Sequence, residues 1–269
     1  MGTVESMSES RASAAPSEVS QGSAESEEQI QPVVAVILAA GLGVRFDESN
    51  PKQLVQVGGK PIITWSIDAF QSNDRVTDIL VVVNDRVREA VEAIVADDTY
   101  DKVRTVIQGG IERMDSTEAA LQTLADAEIP QDAKLLIHDA VRPFVSQESI
   151  NGCIDALDTF NAATVAVAST DTMLMAGDLG ERKVVRQVPD RDNMFRAQTP
   201  QAFRFSTLRK AYDLAAADPD FHPTDDTRVV VDRLPEEPVA IVAGSVTNMK
   251  ITLPSDMPMA EWIARSLAG

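Results

Sequence analysis

Short, uninterrupted apolar runs alternate along this chain with segments in which apolar residues recur every three or four positions. Residues 33–39 (VVAVILA) contain no polar side chain, as expected of a strand covered on both faces, and 78–83 (DILVVV), 103–107 and 134–138 (KLLIH) have the same character. Between them, 85–96 puts Val87, Ala90, Val91, Ile94 and Val95 on one helical stripe, with Asp85 as the expected cap. Asp115 with Glu118 predicts a capping box opening a helix through Leu124, and Ser146 precedes a stripe of Ile150, Cys153, Ile154 and Leu157. A further apolar helix is expected over 62–70, with Trp65 inside it. Strand and helix therefore alternate, which predicts a three-layer α/β sandwich, Rossmann-like, around a mostly parallel sheet. Ligands bind such sheets beyond the carboxyl ends of the strands, so functional residues are expected in the loops that follow them. Residues 169–198 break the pattern with polar, charged sequence lacking a helical stripe, and they predict a protruding arm.

Composition narrows the function classes. The 269 residues include 24 Lys and Arg against 42 Asp and Glu, a formal charge of −18, which argues against nucleic acid or an anionic membrane as partner. Apolar residues make up 44%, enough for a substantial core. The single cysteine, Cys153, excludes a disulfide framework and a Cys-rich zinc site, and two histidines, His138 and His222, exclude a His-rich metal cluster. No apolar run approaches the ~20 residues needed to cross a bilayer, and no basic segment followed by an apolar one opens the chain, so a reducing, cytoplasmic location is expected. Residues 1–31 hold eight serines, six glutamates and no aromatic, a composition that predicts a disordered tail ahead of a domain spanning 32–269.

The chemistry-bearing residues cluster after the expected strands. After the first comes Leu38-Ala39-Ala40-Gly41-Leu42-Gly43-Val44-Arg45-Phe46, then Pro51-Lys52-Gln53 and Gly58-Gly59-Lys60-Pro61. Glycines let backbone N–H groups approach a phosphate chain, and Arg45 and Lys52 can clamp it. Phe46 stands where a dinucleotide fingerprint needs its third glycine, and no Gly-Lys-Ser/Thr follows, so neither the dinucleotide nor the P-loop pattern is met. Gly109-Gly110 with Arg113, Asp115 and Ser116 follows the third run, where a helix N-terminus can face a base or ribose. His138-Asp139-Ala140-Val141-Arg142-Pro143-Phe144 follows the next, and Asp139 is well placed to hold a divalent cation. His138 reads as a structural histidine, whereas Arg142 can position a phosphate or pair with a neighbouring carboxylate.

Taken in order with Asp171-Thr172, Asp190-Arg191, Gln198-Thr199-Pro200-Gln201, Thr224-Asp225-Asp226 and Asn248-Met249-Lys250-Ile251-Thr252, these pieces span roughly residues 33–260. The set resembles the nucleotidyltransferases that join a nucleoside triphosphate to a phosphorylated sugar or polyol. Within them it is most similar to the 2-C-methyl-D-erythritol 4-phosphate cytidylyltransferase (IspD) family, with the ribitol-5-phosphate cytidylyltransferases as near relatives.

The resemblance implies attack by a polyol phosphate oxygen on the α-phosphorus of CTP, with Mg²⁺ or another divalent cation on Asp139. It places Arg45 and Lys52 on the triphosphate, Ala39, Ala40, Gly41, Gly43, Gly110, Arg113, Ser116 and Lys250 around the nucleotide, and Arg142 and again Lys250 near the acceptor. It further implies a homodimer in which Thr172 and Arg191, on the arm of one subunit, grip the acceptor in the other. Leu174 and Thr247 depart from the methylerythritol pattern, while Val141, Phe144 and the 193–195 stretch are also at home in the ribitol enzymes. A noncatalytic nucleotide-binding protein is the reading from another class, and joint retention of Arg45, Lys52, Asp139, Arg191 and Lys250 speaks against it.

Overall fold

The strand β1 (Val33–Leu38) is buried because its side chains feed two separate cores: Val33, Ala35 and Ile37 enter one, Val34 and Val36 the other. A computed structural model of the chain describes residues 31–43, 46 and 50–268, all within the unit Gln31–Gly269. The expected tail lies outside the described residues apart from Gln31, whose Nε2 donates to Asp132. After β1 come a small hairpin, β2 (Gln56–Val57) and β3 (Lys60–Pro61), then α1 (Ile62–Gln71), β4 (Asp78–Val83), α2 (Asp85–Val95) and β5 (Val103–Gln108). They are followed by α3 (Arg113–Asp126), β6 (Lys134–Asp139), α4 (Gln147–Ala156) and β7 (Ala162–Ala168). The antiparallel pair β8 (Met175–Leu179) and β9 (Arg182–Gln187) precedes β10 (Phe195–Arg204), α5 (Phe205–Ala215), α6 (Asp226–Arg233), β11 (Val239–Ala243) and α7 (Met257–Ala268).

Seven strands form the main sheet in the order β11-β7-β10-β6-β1-β4-β5. Its neighbours pair in parallel except along β10, which runs antiparallel to both β6 and β7. Helices α1, α2 and α4 cover one face through Ile63, Ile67, Val87, Val91, Ile150 and Ile154. Helices α3, α5 and α6 cover the other through Leu121, Leu124, Leu208, Tyr212, Val229 and Val230. A third cluster seats Ala260, Ile263 and Ala264 of α7 on Val57, Ile62, Val141 and Phe144. The chain moves outward from β1 to β4 and β5, then returns to β6 on the other side of β1. The carboxyl ends of β1 and β6 therefore flank the point where strand order reverses, which is where an open α/β sheet leaves a crevice.

Several local expectations shift by a few residues. The cap of α2 is Asn84, not Asp85: its Oδ1 accepts the N–H of Arg86, while its Nδ2 donates to the Ala40 carbonyl at 2.8 Å. The box opening α3 pairs Asp115 with Glu112 rather than Glu118, with the Glu112 N–H donating to Asp115 at 2.9 Å. Ser146 caps α4 as expected. The excursion contains the β8–β9 hairpin and ends earlier than 198, because residues 195–197 already pair with β7. Lys250 lies in the loop after β11.

Candidate active site

The first wall of the crevice is the loop leaving β1, held by side-chain amides. Gln53 Nε2 donates to the carbonyls of Ala39 and Gly41, both at 2.6 Å, and Asn84 fixes Ala40. Gly43 adopts φ +67°, and any Cβ there would meet the Lys52 stem at 3.2 Å, so the glycine lets the lysine chain pass close beneath the loop. Lys52 is buried, and its Nζ lies 3.4 Å from the Ile251 carbonyl. The opposite wall is the turn from β5 to α3. A Cβ on Gly109 would stand 2.5 Å from that of Ala40, and one on Gly110 would stand 2.1 Å from that of Asp115. Only bare backbone fits this close approach, and it places Gly110 and Ser116 across the crevice from Ala40 and Gly41.

Asp139, at the end of β6, forms the floor. Its carboxylate faces three cations: Lys250 Nζ at 2.9 Å, Arg113 Nε at 3.4 Å and Arg142 Nε at 3.7 Å. Burial alone would push this carboxyl up, but Arg113, Lys250 and Arg142 hold it well below the usual carboxylate range. Burial likewise works against Arg113, yet Asp226 and Asp139 keep its guanidinium firmly charged. For Arg142 the burial effect prevails and lowers it. The resulting pocket is open to solvent and is lined by Ala40, Gly41, Lys52, Gln53, Gly110, Glu112, Arg113, Ser116, Asp139 and Lys250, with apolar walls from Leu38, Ile111 and Val141. Such a pocket favours a polyanion with a flat apolar portion, inside a chain that is otherwise strongly acidic.

Two elements far along the sequence complete it. The loop after β11 crosses the site: Arg142 Nη1 donates to the Asn248 carbonyl at 3.0 Å, and buried Asn248 donates to the Thr199 carbonyl at 2.9 Å. Thr199 sits in the irregular stretch of β10 between Ala197 and Gln201, beside a cis peptide bond to Pro200. Its hydroxyl accepts the Asp139 N–H at 3.1 Å, so it orients the floor residue directly. His138 is fully buried and bonded to Thr199 and to the Arg142 carbonyl, the structural role expected of it.

The fold thus gathers Ala40, Gly41, Lys52, Gly110, Arg113, Ser116, Asp139 and Lys250 into one pocket, with Ala39, Gly43 and Arg142 supporting it from behind. Arg45 lies outside the described residues. Thr172 and Arg191 are exposed on the excursion and do not line this pocket. Gln53, Thr199, Asn248 and Asp226 are positioning groups that the sequence marks only as members of motifs, with no role of their own. Each is a buried polar residue in a turn, an irregular strand or the first position of a helix, where no periodicity marks burial.

Among the described residues, no three His, Cys, Asp or Glu side chains stand together as a metal site. Asp139 alone, held ionised at the floor, fits Mg²⁺ in the mode where substrate phosphates and water complete the coordination sphere.

A mostly parallel α/β sheet carrying a cation-lined pocket at its switch point defines a nucleotidyltransferase-like protein. The model of the IspD family, 2-C-methyl-D-erythritol 4-phosphate cytidylyltransferase, matches residues 33–266, and the chain belongs to that family. It is 68% identical over 241 residues, 90% of this chain and 83% of the relative, to the 2-C-methyl-D-erythritol 4-phosphate cytidylyltransferase of Bifidobacterium longum (strain DJO10A). It is 37% identical over 87% of its length to a bifunctional ribulose 5-phosphate reductase/CDP-ribitol pyrophosphorylase of Haemophilus influenzae, of which it covers 48%. Among solved structures, the 4-diphosphocytidyl-2C-methyl-D-erythritol synthase of Anaerococcus prevotii superposes with a TM-score of 0.73 at 29% identity, covering 87% of this chain and 96% of that one.

Proposed function

We propose that this chain transfers a cytidylyl group from CTP to 2-C-methyl-D-erythritol 4-phosphate, giving 4-diphosphocytidyl-2-C-methyl-D-erythritol and pyrophosphate. The observation that carries the reading is the family match over residues 33–266, which takes in every wall of the cation-lined pocket. An oxygen of the acceptor phosphate attacks the α-phosphorus, and the bond from that phosphorus to the bridging oxygen of the β-phosphate breaks. The attacking phosphate is already ionised near neutral pH, so no general base is needed, in keeping with a buried, structurally engaged His138.

What the reaction requires is positioning and neutralisation of charge. Lys52, beneath the glycine loop, is placed to stabilise charge developing on the α-phosphoryl and departing pyrophosphate oxygens. The close-packed walls at Ala40, Gly41, Gly110 and Ser116 take the nucleoside, and their small side chains favour a pyrimidine. Lys250 and Arg142 bring positive charge to the acceptor side of Asp139. Asp139 would hold Mg²⁺, which when bound supplies Lewis-acid neutralisation of the phosphates.

The exposed excursion supports a homodimer in which Thr172 and Arg191 reach the acceptor phosphate of a second copy of this chain. Its apolar residues Met173, Leu174 and Met175, with Phe195 at the start of β10, are all exposed in the single chain. Among the described residues no helix is long and apolar enough to cross a membrane. Pyrophosphate release from CTP, followed with 2-C-methyl-D-erythritol 4-phosphate and with D-ribitol 5-phosphate in turn, tests the reading. The ribitol acceptor is the second one to try because the Haemophilus influenzae relative is named for CDP-ribitol.

A further inference from the structure

Asp226 does not line the nucleotide pocket, yet it is fully buried. It stands at the N-terminus of α6, where its Oδ2 accepts from Arg113 Nη1 at 2.6 Å and its Oδ1 accepts from the Tyr212 hydroxyl. Its backbone N–H donates to Gln201 Oε1 at 2.9 Å. Tyr212 and Gln201 are themselves buried, so Asp226 is fixed at both carboxylate oxygens and at its backbone.

Arg113 does line the pocket, and its guanidinium is divided between two carboxylates. The bond to Asp226 is short, whereas its Nε reaches Asp139 only at 3.4 Å, and its Nη2 is buried with no hydrogen-bond partner. If Asp226 lost its charge, Asp139 would be the ion-pair partner left to Arg113 among the described residues. A guanidinium with an unsatisfied buried donor has every reason to close on it.

We propose that Asp226 is a positioning residue for nucleotide binding, acting through Arg113: it holds the guanidinium against the α3 wall and keeps it from closing on Asp139. The proposal rests on the reading of this pocket as the CTP site. Without Asp226, Arg113 would cover the carboxylate that faces the phosphates and narrow the space between Gly110 and Asp139.

The test is CTP binding by calorimetry, with Mg²⁺ present and no acceptor, on the wild type, Asp226→Asn, Arg113→Met and the double variant. Asp226→Asn is expected to weaken CTP binding roughly tenfold, the scale of a lost bond to a charged group. In the Arg113→Met background the same change should alter binding by less than about twofold, because the group it acts through is gone. A purely structural role would instead give the same loss in both backgrounds, and that result, or unchanged binding in Asp226→Asn, overturns the proposal. Should Asp226→Asn not fold, Tyr212→Phe removes one bond to Oδ1 and keeps the charge. It should weaken CTP binding about twofold to threefold only when Arg113 is present, and equal binding would again overturn the proposal. A wild-type protein that does not bind CTP would sink the CTP reading and this inference together, whereas binding without coupling sinks the inference alone.

Discussion

The backbone carbonyl of Arg142 sets the tautomer of His138. The Arg142 carbonyl, 3.1 Å from Nε2, can only accept, so Nε2 carries the ring proton and Nδ1 must accept from the Thr199 hydroxyl at 2.9 Å. That same hydroxyl accepts the Asp139 N–H, so a neutral imidazole is tied into the floor of the pocket. Burial pushes the His138 pKa down to about 4 from its ordinary 6.5.

A pH dependence of stability follows from that shift. Between pH 6.5 and 4 the unfolded chain holds a proton on this histidine that the folded chain does not, so stability falls as pH falls through the window. The contribution is on the order of 3 kcal/mol, complete above pH 6.5. Urea unfolding at several pH values should show the slope in the wild type and a shallower one in His138→Asn. Equal slopes would contradict the neutral, buried assignment.

Lys52→Ala is expected to depress kcat strongly, by on the order of 3 kcal/mol or roughly a hundredfold, while leaving the fold intact. Steady-state kinetics beside a thermal melt separates the two. Unchanged kcat would remove Lys52 from the charge-stabilising role.

Gly110→Ala forces a Cβ to within 2.1 Å of that of Asp115, so the β5–α3 turn and the first turn of α3 must move apart. The expected stability cost is about 1–3 kcal/mol, with weaker CTP binding alongside. Denaturant unfolding and CTP calorimetry check both parts, and a variant matching the wild type would show that the turn has slack.

The legible and illegible parts of this molecule differ for a physical reason. The strands β1, β4 and β6 announce themselves because burial on both faces demands apolar runs, and α2 and α4 because one face must be apolar. The strand β10 does not, since its first residues are exposed and its buried centre is Gln198-Thr199-Pro200-Gln201. Those polar side chains serve Ser245, His138 and Asp226 rather than a hydrophobic core. The β8–β9 hairpin is also hidden, because neither MAGDL nor RKVVRQ alternates; only Gly180, at φ +60° in its turn, hints at it. Lys52, Asp139 and Lys250 stood out as charges inside family motifs. The Arg113–Asp226 pair joins residues 113 positions apart, and no local pattern encodes such a contact.

If the arm completes a neighbouring site, two inactive variants should rescue one another. In a mixed dimer of Lys52→Ala and Arg191→Ala subunits, one site collects both lesions and the other neither. Random assortment then restores about a quarter of wild-type activity. Coexpression followed by an assay of the mixture checks this, and no recovery would show that each pocket uses its own Arg191. Alone, Arg191→Ala should impair use of the acceptor more than binding of CTP.

The central claim is tested most directly by identifying the product formed from CTP, Mg²⁺ and an equimolar mixture of 2-C-methyl-D-erythritol 4-phosphate and D-ribitol 5-phosphate. Mass spectrometry should find 4-diphosphocytidyl-2-C-methyl-D-erythritol as the main product, accumulating in step with pyrophosphate. CDP-ribitol as the main product, or no CDP-linked product at all, would contradict the account.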